Sequence, residues 1–257
     1  MSGVSVHYQN IQGFVNYSTL GNEHPSLNQT KVLEFQSHID LTQPDIVVLT
    51  ETWLKPSIKD IEILPFSTYK VFRLDRSCMS HPPDTQNPSK FRRNGGGVLI
   101  AVKTSLNLKP ALLKSNSHAE LLSVTLTLPN RKKVCVSSCY RVSTLGNNNF
   151  MEIKHRLTEI ARNKNILSHF LIGDMNFESI DWESNSSSNR LYSKFLDAFD
   201  DLGLGQLIFS PTHYRGNILD ILLTDNPSRV SNIVVHDRNV FVKSDHFFIL
   251  FHYNASQ

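Results

Sequence analysis

The chain has 257 residues, 40% of them hydrophobic and 19% charged, a balance that excludes intrinsic disorder. No apolar run approaches the ~20 residues of a membrane span, and we expect no signal peptide. The three cysteines form no CxxC pair, which excludes a disulfide framework and favours a reducing compartment. The net charge of +3 is compatible with nucleic-acid binding but is not evidence for it.

The first fifty residues predict two strands around a helix. Residues 4–11 alternate in polarity as a strand does, and apolar side chains at mixed spacings predict a helix over 27–41. Residues 45–51 form an almost continuous β-branched apolar run, which is typical of a strand buried on both faces.

The middle of the chain predicts two strands around a long loop, followed by a hairpin. The strands are expected at 69–74 and 98–102, and the proline-containing polar segment 75–94 between them predicts a loop. Residues 120–128 and 132–140 have the pattern of two hairpin strands.

The last part of the chain mixes helices with strands. Apolar side chains spaced along one face predict helices around 150–160 and 191–202. Strands are predicted at 166–173, 217–223, 229–236 and 247–252. The serine-rich loop Ser184–Ser188 is the only linker-like stretch, so we expect one domain over residues 1–257, built as two packed sheets with helices outside.

Several of these apolar strands end in an isolated acid or amide: Asn10, Glu51, Asp174 with Asn176, and Asp220. Strand ends gathered at one edge of packed sheets would bring these groups into one cleft. Carboxylate and amide oxygens there would suit a hard cation such as Mg²⁺. Asp245-His246, before the last strand, would add a histidine that can contact an anion or transfer a proton.

Each of these residues taken alone also has a structural explanation. Glu51 suits a turn or helix cap, Asp174-Met175-Asn176 suits an Asx turn, and Asp220 suits a buried ion pair. His246 could be a satisfied surface histidine. The cysteines lack zinc spacing, and neither His213 nor His246 has a partner motif for a metal site. Gly95-Gly96-Gly97 precedes a strand pattern, so a phosphate-binding loop is not predicted.

The motifs are more specific as an ordered set than any one of them is alone. In sequence they are Asn10–Gly13, Leu49–Leu54, Gly95–Val98, Cys139–Arg141, Ile172–Asn176, Pro211–His213, Leu219-Asp220 and Ser244–His246. This set resembles the endonuclease/exonuclease/phosphatase superfamily from residue 4 to about 252. The Thr-Glu-Thr-Trp-Leu and triple-glycine segments resemble in particular the apurinic-endonuclease-like domain of non-long-terminal-repeat retrotransposons.

The resemblance implies a four-layer α/β sandwich: two packed, mainly antiparallel or mixed β-sheets flanked by helices, with the active site at one edge. It also implies dependence on Mg²⁺, with Mn²⁺ as a substitute. Glu51 would be the principal metal ligand, Asn10 would lie beside it, and Asp245 would join the metal shell or its waters.

The resemblance further implies the catalytic roles. Asp174 would orient or deprotonate the attacking water, and Asn176 would assist at the phosphate. Tyr140, which alone suggests a core or edge aromatic, would contact the phosphate or the leaving group. Asp220 would orient the His246 imidazole.

Thr212, Ser244, Gln12 and Arg141 would support the substrate or the catalytic groups. Gln12 stands where several relatives carry an acid, so the site loses one negative charge and would bind Mg²⁺ more weakly. Val142-Ser143 stands where relatives often have prolines, which predicts a less rigid loop.

The implied reaction is hydrolysis of a phosphodiester in double-stranded DNA that leaves a 3′-hydroxyl and a 5′-phosphate, as in target nicking by a retrotransposon. We expect a monomer that acts in the nucleus, without membrane association, and that is linked in its parent element to a reverse transcriptase. The alternatives are an abasic-site repair endonuclease, a phosphatase or phosphodiesterase of the same fold, and an inactive binding module.

The densest basic clusters are Arg92-Arg93 and Arg131-Lys132-Lys133. Each could contact DNA phosphates, and each could equally be a solvated loop.

Overall fold

The computed structural model describes residues 3–16, 26–65, 67–77, 95–115, 117–142, 146–236 and 242–255. Most of the predicted loop 75–94, including Arg92-Arg93, lies outside these residues. The helices are α1 (Gln29–Thr42), α2 (Gly146–Arg162) and α3 (Arg190–Asp201). None of the helices in the described ranges is long and apolar enough to cross a membrane.

The strands are, in chain order, β1 (Val4–Asn10), β2 (Val15–Asn16), β3 (Ser26–Leu27), β4 (Ile46–Thr50), β5 (Tyr69–Leu74), β6 (Val98–Lys103), β7 (Lys109–Leu112), β8 (Glu120–Thr127), β9 (Lys133–Tyr140), β10 (Ile166–Asp174), β11 (Ile180–Asp181), β12 (Ser186–Ser187), β13 (Gly205–Gln206), β14 (Asp220–Thr224), β15 (Val230–His236) and β16 (Phe248–Tyr253).

Twelve of these strands form two six-stranded sheets. Sheet 1 has the order β15-β16-β1-β4-β6-β5, and sheet 2 has the order β13-β14-β10-β9-β8-β7. Each sheet contains one parallel pair, β1 with β4 and β9 with β10, and its other pairs are antiparallel. The sheets are therefore mixed, as predicted.

The strand β4 shows why the central strands are apolar on both faces. Ile46 and Val48 pack between the two sheets, whereas Val47 and Leu49 pack outward in the cluster that holds Phe35 of α1. Because side chains alternate along a strand, a helix on one face and a sheet on the other require apolar residues throughout.

The helices α2 and α3 cover the outer face of sheet 2. Leu171 of β10 and Ile221 of β14 share a buried cluster there with Ile153 and Phe195. The layers therefore run α1, sheet 1, sheet 2, then α2 with α3. This arrangement confirms the predicted four-layer sandwich.

Asparagine caps set where two of the helices begin. The side chain of Asn28 accepts a hydrogen bond from Lys31 N at the start of α1, and Asn189 does the same for Leu191 N at the start of α3. Gln43, in a left-handed conformation at φ 49°, ends α1.

The strand predicted at 217–223 begins only at Asp220. The Oγ1 atom of Thr212 accepts the N–H groups of Leu219 and Asp220, and the carbonyl of Asn217 accepts Thr212 N. Residues 212–219 therefore form a loop, closed by its own hydrogen bonds, before the chain enters sheet 2 at Asp220.

Several short strands, among them β7 and β12, were not predicted from the sequence. The strand β7 contains Pro110 and lies at the outer edge of sheet 2, where a proline is tolerated. The serine-rich loop contains β12, which pairs with β11.

Candidate active site

Strand register places four polar residues in one row across sheet 2. Glu120 pairs with Tyr140, Tyr140 with Asp174, and Asp174 with Asp220. These residues lie at the ends of β8, β9, β10 and β14, so the hydrogen-bond ladder itself assembles them.

Sheet 1 supplies Asn10 and Glu51, and Asn10 links them to this row. The amide nitrogen Nδ2 of Asn10 donates to Glu51 Oε1 at 3.1 Å and to Asp174 Oδ2 at 2.9 Å. Asn10 is fully buried. The predicted gathering of strand ends from both sheets is therefore present.

The Glu51 side chain is held by the segment that follows it. Trp53 Nε1 donates to Glu51 Oε2 at 3.0 Å, and the carbonyl of Gly96 accepts Trp53 N at 2.9 Å. Gly13 has a φ of 80°, and a Cβ there would lie 2.1 Å from the Trp53 ring. Glycine at this position thus lets the indole lie against the backbone and reach the carboxylate.

A buried ion pair supports the opposite end of the row, and sequence reasoning missed it. Glu120 accepts Arg76 Nε at 2.6 Å and the backbone N–H of Gly97 at 2.8 Å. The Arg76 guanidinium lies 5.5 Å from the centre of the Tyr140 ring. This ion pair joins the triple-glycine segment to Tyr140, so the segment supports both the Glu51 side and the Tyr140 side of the site.

Asp174-Met175-Asn176 forms the Asx turn that the sequence suggested. Asp174 Oδ1 accepts Asn176 N at 2.9 Å, and Asn176 has a φ of 50°. The same turn places the Asp174 carboxylate within hydrogen-bonding distance of Asn10. The role of Asp174 in the turn is therefore compatible with a role in the site.

Arg141 fixes this turn from the interior. Its Nε and Nη2 atoms donate to the carbonyls of Met175 and Asn176 at 2.5 and 2.8 Å, while Asn176 Nδ2 donates back to Arg141 O at 2.9 Å. The guanidinium is fully buried and lies over the Phe177 and Tyr192 rings. Arg141 was expected to support either the substrate or the proposed catalytic groups. This geometry matches the second role, because Arg141 holds the turn that contains Asp174.

Burial and nearby charges both act on Asp174. Burial raises the pKa of Asp174 well above its usual range, and the charges of Asp220 and Glu51 add to the rise while His246 opposes it. A buried carboxylate surrounded by acids favours a proton or a cation nearby.

His246 and Asp220 form the predicted pair. His246 Nδ1 lies 2.7 Å from Asp220 Oδ2, and Tyr8 OH donates to Asp220 Oδ1 at 2.5 Å. Thr212 Oγ1 accepts the Asp220 N–H. Both oxygens of the buried carboxylate are thus satisfied, one of them by a tyrosine that the sequence analysis did not single out.

The protonation states follow from these surroundings. Burial lowers the pKa of His246, but the charge of Asp220 and its hydrogen bond, with the charges of Asp174 and Asp245, outweigh burial and raise it. Burial, together with the charges of Glu51 and Asp174, raises the pKa of Tyr140. At neutral pH, His246 is therefore cationic and Tyr140 is a neutral hydrogen-bond donor.

Ser244 and Gln12 tie the His246 segment to sheet 1. Ser244 Oγ donates to Asn10 O at 2.7 Å and accepts His246 N at 3.1 Å. Gln12 Oε1 accepts Asp245 N at 3.1 Å. The Gln12 oxygen, considered above as a weak cation ligand, is thus engaged in holding the loop.

His213 lies next to this segment, although the sequence gave it no partner motif. Its Nε2 atom is 3.5 Å from Asp245 Oδ2, and its ring centre is 4.9 Å from that of His246. An isolated bridge between His213 and His246 brings the two segments together. Such a contact between distant segments leaves no spacing signal in the sequence.

The side chains around Glu51 fit a hard divalent cation. Glu51 offers carboxylate oxygens, while Asn10 directs its Nδ2 at Glu51 and accepts Gln12 N with its Oδ1 at 3.1 Å. Asp245 Oδ1 is a buried oxygen without a hydrogen-bond partner among the described residues. Mg²⁺ needs only one or two carboxylates because it keeps several waters. The surplus of negative charge that raises the pKa of Asp174 is consistent with such an ion.

The basic cluster Arg131-Lys132-Lys133 lies far from this edge. It lies in the turn between β8 and β9 and at the first residue of β9, whereas Tyr140 is the last residue of β9. Tyr140 is seven residue steps along the strand from Lys133, roughly 23 Å. The structure favours the solvated-loop interpretation for this cluster.

Comparison with solved structures gives the same fold. The endonuclease domain of TRAS1, a telomere-specific non-LTR retrotransposon, matches with a TM-score of 0.63 and 15% identity over 99% of this chain and 100% of that chain. The AP endonuclease LMAP from Leishmania major matches with a TM-score of 0.67 and 14% identity over 99% of this chain and 89% of its own.

The 3′ phosphatase NExo from Neisseria, bound to a product DNA hairpin, matches with a TM-score of 0.63 and 15% identity over 97% of this chain and 99% of that chain. No curated protein sequence matches the chain. The family model described as endonuclease-reverse transcriptase matches residues 134–250. The solved structures show that the chain has the fold of the endonuclease/exonuclease/phosphatase superfamily.

The shared fold and the family match over residues 134–250 confirm the predicted resemblance, and they support the predicted enzyme class, a metal-dependent phosphoester hydrolase. The matched range contains His246 and three of the four residues of the row in sheet 2, namely Tyr140, Asp174 and Asp220, but not Glu120.

Proposed function

We propose that the chain is a Mg²⁺-dependent endonuclease that nicks double-stranded DNA, leaving a 3′-hydroxyl and a 5′-phosphate, for a retrotransposon. The observation that carries the proposal is the convergence of Asn10, Glu51, Asp174 and the Asp220–His246 pair at one edge of two packed sheets. The endonuclease-reverse transcriptase match and the likeness to a retrotransposon endonuclease domain support DNA as the substrate and a linked reverse transcriptase. On this proposal residues 1–257 act as one monomeric domain in the nucleus.

Asp174 is the group proposed to orient and deprotonate the attacking water. Its Oδ1 is occupied by Asn176 N, and its Oδ2 accepts Asn10 Nδ2 and lies 3.8 Å from His246 Nε2. A raised pKa makes a carboxylate a better general base near neutral pH.

His246 and Tyr140 are proposed to act at the phosphate. A cationic imidazole held by Asp220 is a preorganised donor to the charge that develops on the phosphoryl oxygens. Tyr140, as a neutral phenol, would donate to the phosphate or to the leaving oxygen. Thr212 and Ser244 would hold Asp220 and His246 in place.

Glu51 and Asn10, with Asp245 directly or through water, are the residues proposed to hold the cation. Bound there, Mg²⁺ would neutralise negative charge on the phosphate oxygens.

The test is a plasmid-nicking assay at millimolar Mg²⁺ with Glu51→Ala and wild type. We expect the variant to lose nicking while its unfolding transition is preserved, because Glu51 is only partly buried and its change leaves the sheets intact. Glu178→Ala, an exposed acid, is the matched control. Nicking by Glu51→Ala at the wild-type rate would remove the ligand assignment.

Metal binding can be followed separately from activity. Trp53 donates to Glu51, and the chain has two tryptophans. We expect Mg²⁺ to change the fluorescence of Trp182→Phe, which retains Trp53, and to leave the fluorescence of Trp53→Phe unchanged.

Other substrates, assayed beside the plasmid, would distinguish the alternative functions. Cleavage of an abasic oligonucleotide would identify a repair endonuclease, and cleavage of a phosphomonoester would identify a phosphatase. DNA binding without turnover would identify an inactive module.

A further inference from the structure

His213, Asp245 and His246 bring two imidazole nitrogens and a carboxylate together beside the proposed catalytic groups. One ligand atom from each residue lies within 4.8 Å of the other two. His213 Nε2 is 3.5 Å from Asp245 Oδ2, and His246 Nε2 is 3.7 Å from Asp245 Oδ1. Ligands around a tetrahedral zinc ion lie about 3.3 Å apart, so small side-chain movements would complete such a site.

The backbone holds these three residues together. Phe247 N donates to Thr212 O at 2.7 Å, and Tyr214 N donates to Asp245 O at 3.0 Å. The two histidines are therefore fixed on facing segments before any ion arrives, which reduces the cost of forming the site.

The contacts behind the ligands also suit a transition metal. His246 Nδ1 lies 2.7 Å from the Asp220 carboxylate, which is the carboxylate–histidine arrangement that supports metal ligation through Nε2. Asp245 Oδ1 is buried and has no hydrogen-bond partner in the described part of the chain. The Arg215 N contact to His213 Nδ1 is long, at 3.4 Å, so little is lost when that ring changes tautomer.

We propose that His213, Asp245 and His246 form a three-ligand site for a borderline transition metal, Zn²⁺, with an open fourth position. Two imidazoles and one carboxylate are a typical ligand set for Zn²⁺, whereas Mg²⁺ prefers oxygen ligands. The site therefore differs in chemistry from the cation site at Glu51. An ion bound there takes the place of the proton on His246 Nε2, which is released to solvent, so Zn²⁺ would inhibit the hydrolysis proposed above by removing the cationic imidazole from the phosphate.

The experiment is calorimetric titration of the full chain with Zn²⁺ in the presence of millimolar Mg²⁺. We expect one saturable site in the wild type, and a Kd at least about tenfold weaker in His213→Gln, because an amide does not replace an imidazole ligand. His155→Gln, which changes an exposed histidine, should bind as tightly as the wild type.

No saturable binding in the wild type, or an unchanged Kd in His213→Gln, would overturn the proposal. So would an equal loss in Glu51→Gln, because the ion would then depend on the carboxylate site. Since His213→Gln could disturb the local fold, Co²⁺ absorption of the wild type provides a second measurement: a strong four- or five-coordinate spectrum supports the site, and a weak octahedral one rejects it. Neither measurement requires nuclease activity, so the result is separate from the test of the nuclease.

Discussion

At the scale of single residues, Asp220 shows how a buried charge is made tolerable. It lies in an apolar strand, yet both of its oxygens have partners, Tyr8 on one side and His246 on the other. An unpaired carboxylate in this position would be strongly destabilising. The pairing explains why a buried acid can stand at the first position of β14 and why the imidazole beside it has one orientation.

This pairing predicts non-additive losses of activity. His246→Ala should reduce single-turnover nicking by about 10²–10³, the usual effect of removing one preorganised donor. Asp220→Asn should cause a smaller loss, and the double variant should be little worse than His246→Ala because the two residues act as one unit. Fully additive losses would show that they act independently.

Sequence reasoning singled out the acids, the amides and His246 that the structure brings together, but it missed the residues that orient them. Polar groups at the ends of apolar strands are visible in a sequence, because strand pattern and position suffice to find them. Tyr8 and Trp53 look like ordinary core aromatics, and only the packing of two sheets and a left-handed loop shows that each donates to an acid.

At the scale of elements, the turn after β10 depends on a side chain from the neighbouring strand. Arg141 donates to two carbonyls of the Asp174-Met175-Asn176 turn and is buried among aromatic rings. A lysine has no planar fork to reach both carbonyls and loses the stacking. The turn that carries the Asp174 carboxylate is therefore positioned by an interior cation.

Arg141→Lys should lower both stability and activity. We expect a loss of about 1–3 kcal/mol in the free energy of unfolding, since buried acceptors lose their donors. Urea unfolding measures the first effect, and single-turnover nicking measures the second. The exposed Arg190→Lys is the control, and equal stability of the two variants would contradict this role.

Most strand and helix positions followed from the apolar patterns, since each central strand needs hydrophobic residues on both faces. The predictions were wrong where interactions other than apolar burial determine the position of an element. The start of β14 is set by bonds to Thr212, and β7 is an exposed edge strand with a proline.

At the scale of the whole molecule, the most basic described cluster lies at the far end of sheet 2 from the catalytic row. Replacing Arg131, Lys132 and Lys133 with glutamine should therefore leave the salt dependence of DNA affinity unchanged, because no phosphate contact is lost. Binding measured across salt concentrations tests this. A slope reduced by the substitutions would mean that the DNA path extends along the sheet to that turn.

The core also contains histidines that are held neutral. Burial, with a smaller effect from the charge of Arg156, lowers the pKa of His169 to about 3, from an ordinary value of 6.5. Below pH 6.5 the His169 imidazole binds a proton in the unfolded chain but not in the folded chain, so the free energy of unfolding falls as the pH drops toward 3.

His169→Gln should remove this dependence. Relative to the wild type, the slope of the unfolding free energy should be smaller by about 1.4 kcal/mol per pH unit between pH 6 and 4. The exposed His155→Gln should leave the slope unchanged. Denaturant unfolding at several pH values measures both, and parallel curves for all three proteins would show that His169 is protonated in the folded state.

The placement of Glu120, Tyr140, Asp174 and Asp220 on paired strands has an evolutionary consequence. Inserting one residue within β9 would turn Tyr140 to the opposite face, whereas residues added to the loops beyond the strands leave the alignment intact. Descendants of this chain can therefore lengthen, shorten or exchange the loops around the cleft while the row of side chains keeps its alignment.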